Sequence, residues 1–369
     1  MVLHCITLLL SLVNFAEPLH QNEVNSIGEP VLLTDPAFFL KAGESYFDPA
    51  TKRVIFQAIE HPQEGEKPAE DYGMYLGDLT FDENNAITGL ANVERLSTSG
   101  SANTCGWFHP NDVSTVMFAT TMTPLVDSDI PGYQRDSGRY RWAFPPKMNI
   151  VALDLNTKEF MPLVTNNEHY LAEGSWSQDG RHILYCSLES GAGDIYITDL
   201  QTGVSRLIVG GAGYDGGPFF SPDGKRIVYR SDRRGNDLLQ LYIAELKFDD
   251  FGSIVGIKKE YQLTDNAHVN WGPFWHPNNR FLIYATSEVS HMNYELFICD
   301  ADSGASDGTT RYGIRKRRVT HADGFDGLPV FDRSGKWLMW TSKRETGTSQ
   351  LWVAPFLFDL EAGPYEQIY

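Results

Sequence analysis

Gly217 Pro218 Phe219 Phe220 Ser221 Pro222 Asp223 Gly224 Lys225 Arg226 Ile227 Val228 Tyr229 Arg230 Ser231 reads as a strand, a tight turn and a second strand. Pro222 presets φ for the turn, Asp223 bonds its own backbone, and Gly224 takes a positive φ at little cost, while the flanking apolar residues supply the strands. The same hairpin recurs over 173–185, 272–284 and 328–340, and in looser form over 45–56 and 106–118. Its first turn residues fall at Asp48, His109, Ser177, Ser221, His276 and Asp332, with intervals of 61, 68, 44, 55 and 56. Each interval fits one four-stranded sheet with its loops. Third strands are predicted over 73–79, 149–155, 194–200, 240–246, 295–300 and 350–356; fourth strands end in an apolar residue and Thr, as in Leu263 Thr264 and Val319 Thr320. Six such sheets set radially leave only short, protected edges, so the pattern predicts an all-β, six-bladed β-propeller. The last repeat stops after its third strand, whereas Pro30 Val31 Leu32 Leu33 Thr34 forms a strand with no blade of its own. That strand is predicted to complete the last blade and close the ring.

The hairpin of aromatic, Ser, Pro, Asp, Gly and Lys, followed by a third strand of the form Leu241 Tyr242 Ile243 Ala244, resembles the repeat of the TolB propeller family. The resemblance runs over residues 29–369, one propeller domain, and is most specific in the third to sixth repeats. It implies a ring that works by binding. The family's namesake also carries an α/β domain ahead of its propeller, and only about 30 residues precede the first strand here.

Composition agrees with many short strands: 12% of the 369 residues are aromatic, and 33 Gly and 19 Pro supply the turns. A formal charge of −18 repels a phosphate backbone and argues against nucleic acid as partner. Residues 1–20 have the pattern of a secretory signal, with an apolar run from Cys5 to Val13 followed by Asn14 Phe15 Ala16. The run is shorter than the roughly 20 apolar residues of a membrane span, so export to the periplasm or the exterior is expected. Cys105, Cys186 and Cys299 cannot all pair, and the last two lie in apolar strands, so buried thiols are expected in place of a disulfide framework.

In a propeller the loops from fourth to first strand and from second to third strand share one face, around the channel mouth. There Asn103, Asp215, Asn270 and Asp326 stand six positions before their turn residues, and Glu44 and Glu173 four before theirs, which predicts a polar, acidic mouth. These groups either cap strand ends or hold a cation. One second-to-third-strand loop, 119–147, is far longer than the others and carries Tyr133, Arg135, Arg139, Tyr140, Arg141 and Trp142; neighbouring loops add Arg230, Arg233, Arg234, His291, Lys343 and Arg344. Arg and aromatic enrichment on a long loop suits a protein interface or an anionic ligand. The expectation is a monomeric binding scaffold with a basic, aromatic rim, taking a protein, a peptide or an anionic small molecule or glycan, with no cofactor.

The alternative is enzymatic. His169 and His268 each lie eight positions before a turn residue, and His321 lies in the entry loop of the sixth blade. Three imidazoles beside carboxylates suit a divalent transition metal. Such a rim is similar to the metal site of oligogalacturonate-lyase propellers, which implies a metal-dependent carbohydrate-active enzyme. No nucleophile elbow, phosphate-cradling glycine loop or HExxH helix is present in the sequence. His109 and His276 occupy turn positions and are expected to be structural, as are Trp107, Trp176, Trp275, Phe220 and Phe331, read as packing between blades.

Overall fold

The structure, a computed structural model, describes residues 20–124, 132–133, 142–166, 168–301, 313, 315–361 and 366–367; at 132–133, 142–143 and 366–367 only the backbone pairing is described. The six hairpins open six antiparallel sheets around one axis. Blade 1 comprises Phe39–Phe47, Arg53–Glu60, Gly73–Phe81 and Ile87–Arg95. Blade 2 comprises Ser101–Phe108, Thr115–Pro124, Asn149–Asp154 and Phe160–Val164. Blade 3 runs Leu171–Trp176, His182–Ser187, Asp194–Asp199 and Val204–Val209, and blade 4 runs Asp215–Phe220, Arg226–Ser231, Gln240–Phe248 and Ile254–Gln262. Blade 5 comprises Asn270–Trp275, Phe281–Ser290, Asn293–Asp300 and Arg315–Arg318, with Glu366–Gln367 added at its outer edge. Blade 6 comprises Asp326–Phe331, Trp337–Ser342 and Gln350–Pro355.

Middle strands are covered on both faces by the neighbouring blades. That is why Ile227 Val228 Tyr229 and Val54 Ile55 Phe56 are continuous apolar runs, all six fully buried, instead of alternating with polar residues. Each such side chain removed from water contributes about 1.5–3 kcal/mol. Outer strands have one wet face, and Val204 to Leu207 are all exposed.

The turn residues tie each hairpin. Ser221 Oγ accepts the Arg226 amide at 2.9 Å, Ser177 Oγ accepts that of His182 at 2.9 Å, and Asp332 accepts that of Trp337 at 3.0 Å. His109 and His276 instead reach the next blade. The His109 ring packs edge-on against Trp176 and the His276 ring against Phe331, and each imidazole lies over a turn glycine, Gly180 or Gly335. The Ser or Thr that ends the fourth strand plays the same part in several blades, since Ser97, Thr264 and Thr320 accept the amides of Met74, Leu241 and Leu296 at 3.1, 2.8 and 2.9 Å.

Thr34 does the same for Leu351 at 2.9 Å, because Val31–Leu32 is the fourth strand of blade 6, pairing with Val353 and Trp352. The predicted closure is present and extends further toward the N terminus. Gly28 N donates to Pro355 O at 2.7 Å, Ile27 is fully buried against blade 6, and Glu23 meets Arg344 at 3.2 Å. The predicted signal falls on residues 1–20, of which 1–19 lie outside the described residues. Among the described residues no helix is long and apolar enough to cross a membrane. Cys105, Cys186 and Cys299 are buried free thiols.

Candidate functional site

Each inner strand has a bulge four positions before its turn residue. Pairing skips there in every blade, and the residue at that position is left-handed: Glu44 (φ 41), Cys105 (φ 55), Glu173 (φ 58), Gly217 (φ 57), Gly272 (φ 56) and Leu328 (φ 53). For glycine this costs little; for the other four it costs on the order of 1–2 kcal/mol each. The bulge re-aims the strand, so the residue two before the turn points at the axis. Those residues are Tyr46, Trp107, Ser175, Phe219, Phe274 and Val330.

Their four aromatic rings meet across the channel. Tyr46 stacks on Trp107 at 4.4 Å between centroids, Trp107 lies 5.8 Å from Phe219, and Phe219 lies edge-on to Phe274 at 5.5 Å. This septum corrects one expectation. Trp176, Trp275, Phe220 and Phe331 stand one position before the turn and face neighbouring blades, whereas Trp107 is one residue earlier and faces the axis. An aromatic at the same offset in four of six repeats is the signal that points to it.

The septum leaves a cavity on each side. Toward the hairpins is an apolar funnel of about 270 Å³. Toward the mouth is a chamber of about 700 Å³, within the range of small-ligand sites. Its floor is Tyr46, Phe219 and Phe274; Trp271, Tyr294 and Phe325 form an aromatic wall, and Lys41, Tyr72, Met292 and Lys343 stand toward the opening.

Four carboxylates line the chamber, Glu44, Glu70, Asp71 and Glu173, and the two that stand at inner-strand bulges, Glu44 and Glu173, are in different states. Glu173 is saturated: one oxygen accepts Tyr214 Oη at 2.5 Å, the other accepts the Gly217 amide and Arg230 Nη2, the latter at 3.3 Å. A side chain at 216 or 217 would intrude on this group, since a Cβ at Gly217 would lie 2.6 Å from Arg230 Nη1. Glu44 accepts from two hydroxyls, Tyr46 Oη and Thr104 Oγ1, each at 3.2 Å, with the Cys105 thiol beside it. Its depth in the chamber pushes its carboxyl above the ordinary range, and the charge on Glu173 adds to this. Burial, reinforced by both carboxylates, pushes the Cys105 thiol well up and keeps it protonated.

The other mouth residues are built into the frame. Asn103 Nδ2 donates to the carbonyls of Tyr72 and Ser101, both at 2.8 Å, and Asn270 Nδ2 donates to the carbonyls of Leu239 and His268, both at 3.2 Å. Asp326 accepts Trp340 Nε1 at 3.1 Å and Arg344 Nη2 at 3.1 Å. Asp215, 2% exposed, lies 3.7 Å from Arg233, and burial raises its pKa to about 6. Arg233 is turned toward the outside of blade 4, paired with Glu260 at 2.6 Å and lying over the Tyr242 ring. Arg234 pairs with Asp265 at 2.8 Å, and Arg344 is buried between Glu23 and Asp326. His291 lines the chamber beside Tyr294. Arg135, Arg139, Tyr140 and Arg141 lie outside the described residues; Tyr133 and Trp142 pair as backbone in a two-residue ribbon, Gly132–Tyr133 with Trp142–Ala143.

His169, His268 and His321 enter blades 3, 5 and 6 and do not converge; among the described residues no three His, Cys, Asp or Glu side chains are grouped to hold a metal. His321 stacks on His20 at 5.5 Å, and burial, with Arg318 adding to it, lowers its pKa to about 4.

A closed ring of six four-stranded blades, with a septum across its channel and a chamber at its mouth, is a six-bladed β-propeller. Its repeats are TolB-like: residues 147–314 match the family model described as the TolB beta propeller domain. An uncharacterized protein of Agrobacterium fabrum is 32% identical over 135 residues, 35% of this chain and 42% of the relative. The Tol-Pal system protein TolB of Francisella tularensis is 33% identical over 84 residues, 23% of this chain and 19% of the relative. The matched part thus spans less than half the length of these relatives. The crystal structure of TolB from Acinetobacter baumannii superposes with a TM-score of 0.55 at 17% identity, covering 83% of this chain and 64% of that one, which is a likeness of fold.

Proposed function

We propose that this propeller is a non-catalytic, monomeric binding scaffold that works outside the cytoplasm and takes a protein or peptide partner into the mouth-face chamber. The observation that carries the reading is the ring of six left-handed bulges, four of them at non-glycine residues, two of these glutamates that line the chamber. Strain retained around a cavity is usually retained for what the cavity does. Binding is favoured over catalysis by the state of the reactive groups: the Glu173 oxygens are occupied, and the Cys105 thiol is held protonated. The 119–147 segment joins the second and third strands of blade 2, and Tyr133, Arg135, Arg139, Tyr140, Arg141 and Trp142 are its proposed contacts, together with His291. The apolar run from Cys5 to Val13 supports export.

The test is capture of the partner from the cell envelope by tagged protein. A Lys343→Trp/Ser349→Trp variant, which crowds the mouth from partly exposed positions, is expected to lose it, and Arg139→Ala/Arg141→Ala to weaken it. Lys225→Ala on the hairpin face is expected to keep it. Equal recovery by the mouth variant and the wild type would overturn the assignment.

A further inference from the structure

Glu173 and Glu44 stand at equivalent bulges, yet only Glu173 has a cation, Arg230 at 3.3 Å. Among the described residues no Lys or Arg lies within ion-pair distance of Glu44, which the charge of Arg230 reaches only from further off; its hydrogen-bond donors are the hydroxyls of Tyr46 and Thr104 and the Cys105 thiol. Lys41, the basic residue of its own strand that lines the chamber, is placed over the Tyr72 ring, 4.6 Å from its centroid. A carboxylate taken out of water normally acquires a partner charge. Here it is kept beside the septum, in a backbone conformation that glycine fills in blades 4 and 5, with its side chain opening on a chamber about 700 Å³ in volume. The chamber it opens on is aromatic in large part, with Tyr46 and Phe274 in its floor and Trp271, Tyr294 and Phe325 in its wall. An anion-recognising chamber would leave Arg230 for its ligand, but Arg230 is already spent on Glu173 and Tyr214, at 3.3 and 3.0 Å.

We infer that Glu44 is the seat of a primary ammonium group whose apolar stem lies against the Trp271–Phe274–Phe325 wall. The inference deepens the binding reading above and rests on it. Carboxylate and ammonium supply a charge-assisted hydrogen bond in a site of reduced dielectric, and the aromatic faces favour the positive end of the stem. The ammonium belongs either to a free amine or to a lysine of a bound peptide.

Titration calorimetry with full-length protein tests this, using tyramine, its neutral counterpart 4-ethylphenol and its anionic counterpart 3-(4-hydroxyphenyl)propionate. A second pair, N-acetyl-Phe-Lys-amide and the same peptide with the lysine acetylated, tests the peptide source. Tyramine is expected to bind at least about tenfold more tightly than either counterpart, or the lysine peptide than its acetylated form, and Glu44→Gln to abolish that preference. Tighter binding of tyramine than of the peptide identifies a free amine; the reverse identifies a lysine. Glu44→Gly, whose backbone suits position 44 as Gly217 and Gly272 suit theirs, gives the same readout should the glutamine variant not fold. The inference is overturned if no ammonium probe is preferred over its uncharged form, if the propionate binds best, or if both Glu44 variants keep the preference. Loss of the inference with partner capture still blocked by the mouth variant leaves the scaffold reading standing. Retained ammonium preference with capture unaffected overturns the partner reading and keeps the seat.

Discussion

Glu44 combines two costs that selection for stability alone would remove, a left-handed non-glycine backbone and a carboxylate with no cation within ion-pair distance. Replacing it with glycine is expected to raise stability by about 1–2 kcal/mol at neutral pH, read as a higher urea midpoint with unchanged slope. A lower midpoint would mean that the hydroxyl contacts outweigh both costs. Asp215 makes a sharper case for pH. Its folded pKa, about 6, lies above the ordinary aspartate value, so the folded state keeps this proton after the unfolded chain has released it. Its contribution to stability is therefore full below about pH 4 and is lost as pH rises through 6. Asp215→Asn is expected to flatten that decline by on the order of 2–3 kcal/mol between pH 4 and 7.5, measured by denaturant unfolding at each pH. Neither effect is legible in the residue type. An Asp six positions before a turn reads as a mouth residue, and only the loss of solvent, which outweighs the opposing charge of Arg233, gives it its state.

At the scale of the element, the hairpin is where sequence and structure agree most closely, because the turn is decided by neighbours a few residues apart. The histidine turns show what local reading leaves out. His276 occupies a capping position, but its ring crosses to blade 6, where a Cβ at Gly335 would lie 2.6 Å from Nε2 and φ is 70°. Gly335→Ala is expected to cost about 2–3 kcal/mol, and the double variant with His276→Ala to recover part of it, a coupling read from a double-mutant cycle. Additive losses would show that strain at the turn, and not the imidazole, sets the cost. The terminal threonine of the fourth strand is a second element-level device. Thr264→Val leaves the Leu241 amide buried without its acceptor, and a loss of about 1–3 kcal/mol is expected in thermal or urea unfolding.

For the whole molecule, stability depends on one seam. Val31–Leu32 supplies the backbone pairing, and Arg344 clamps the preceding segment through Glu23 while holding Asp326 of its own blade. Arg344→Ala leaves two carboxylates buried together, and a loss of about 3–5 kcal/mol is expected. Limited proteolysis is expected to cut first between Thr34 and Phe39, releasing the N-terminal strand Val31–Leu32 before any other strand is attacked. First cleavage within blades 2 to 5 would show that the ring does not open at this seam. In the sequence Arg344 reads as a rim residue for a ligand; its partner is 321 positions away in the chain, and nothing local announces that contact.

The chain's own order of residues was enough for the six hairpins, the blade count and the closing strand, because turn chemistry and two-sided apolar runs are short-range properties that every repeat restates. Trp107 shows the limit of that reading: one residue of offset decides whether an aromatic packs between blades or plugs the channel, and the bulge that sets the offset has a glycine signal in only two of six blades. What only the tertiary structure decided is the working interior. The septum, the chamber above it and the difference between a paired Glu173 and an unpaired Glu44 arise where strands far apart in sequence meet at one axis. Charge states there follow from which side chains arrive together and how much water they exclude, quantities that no local pattern of residues encodes.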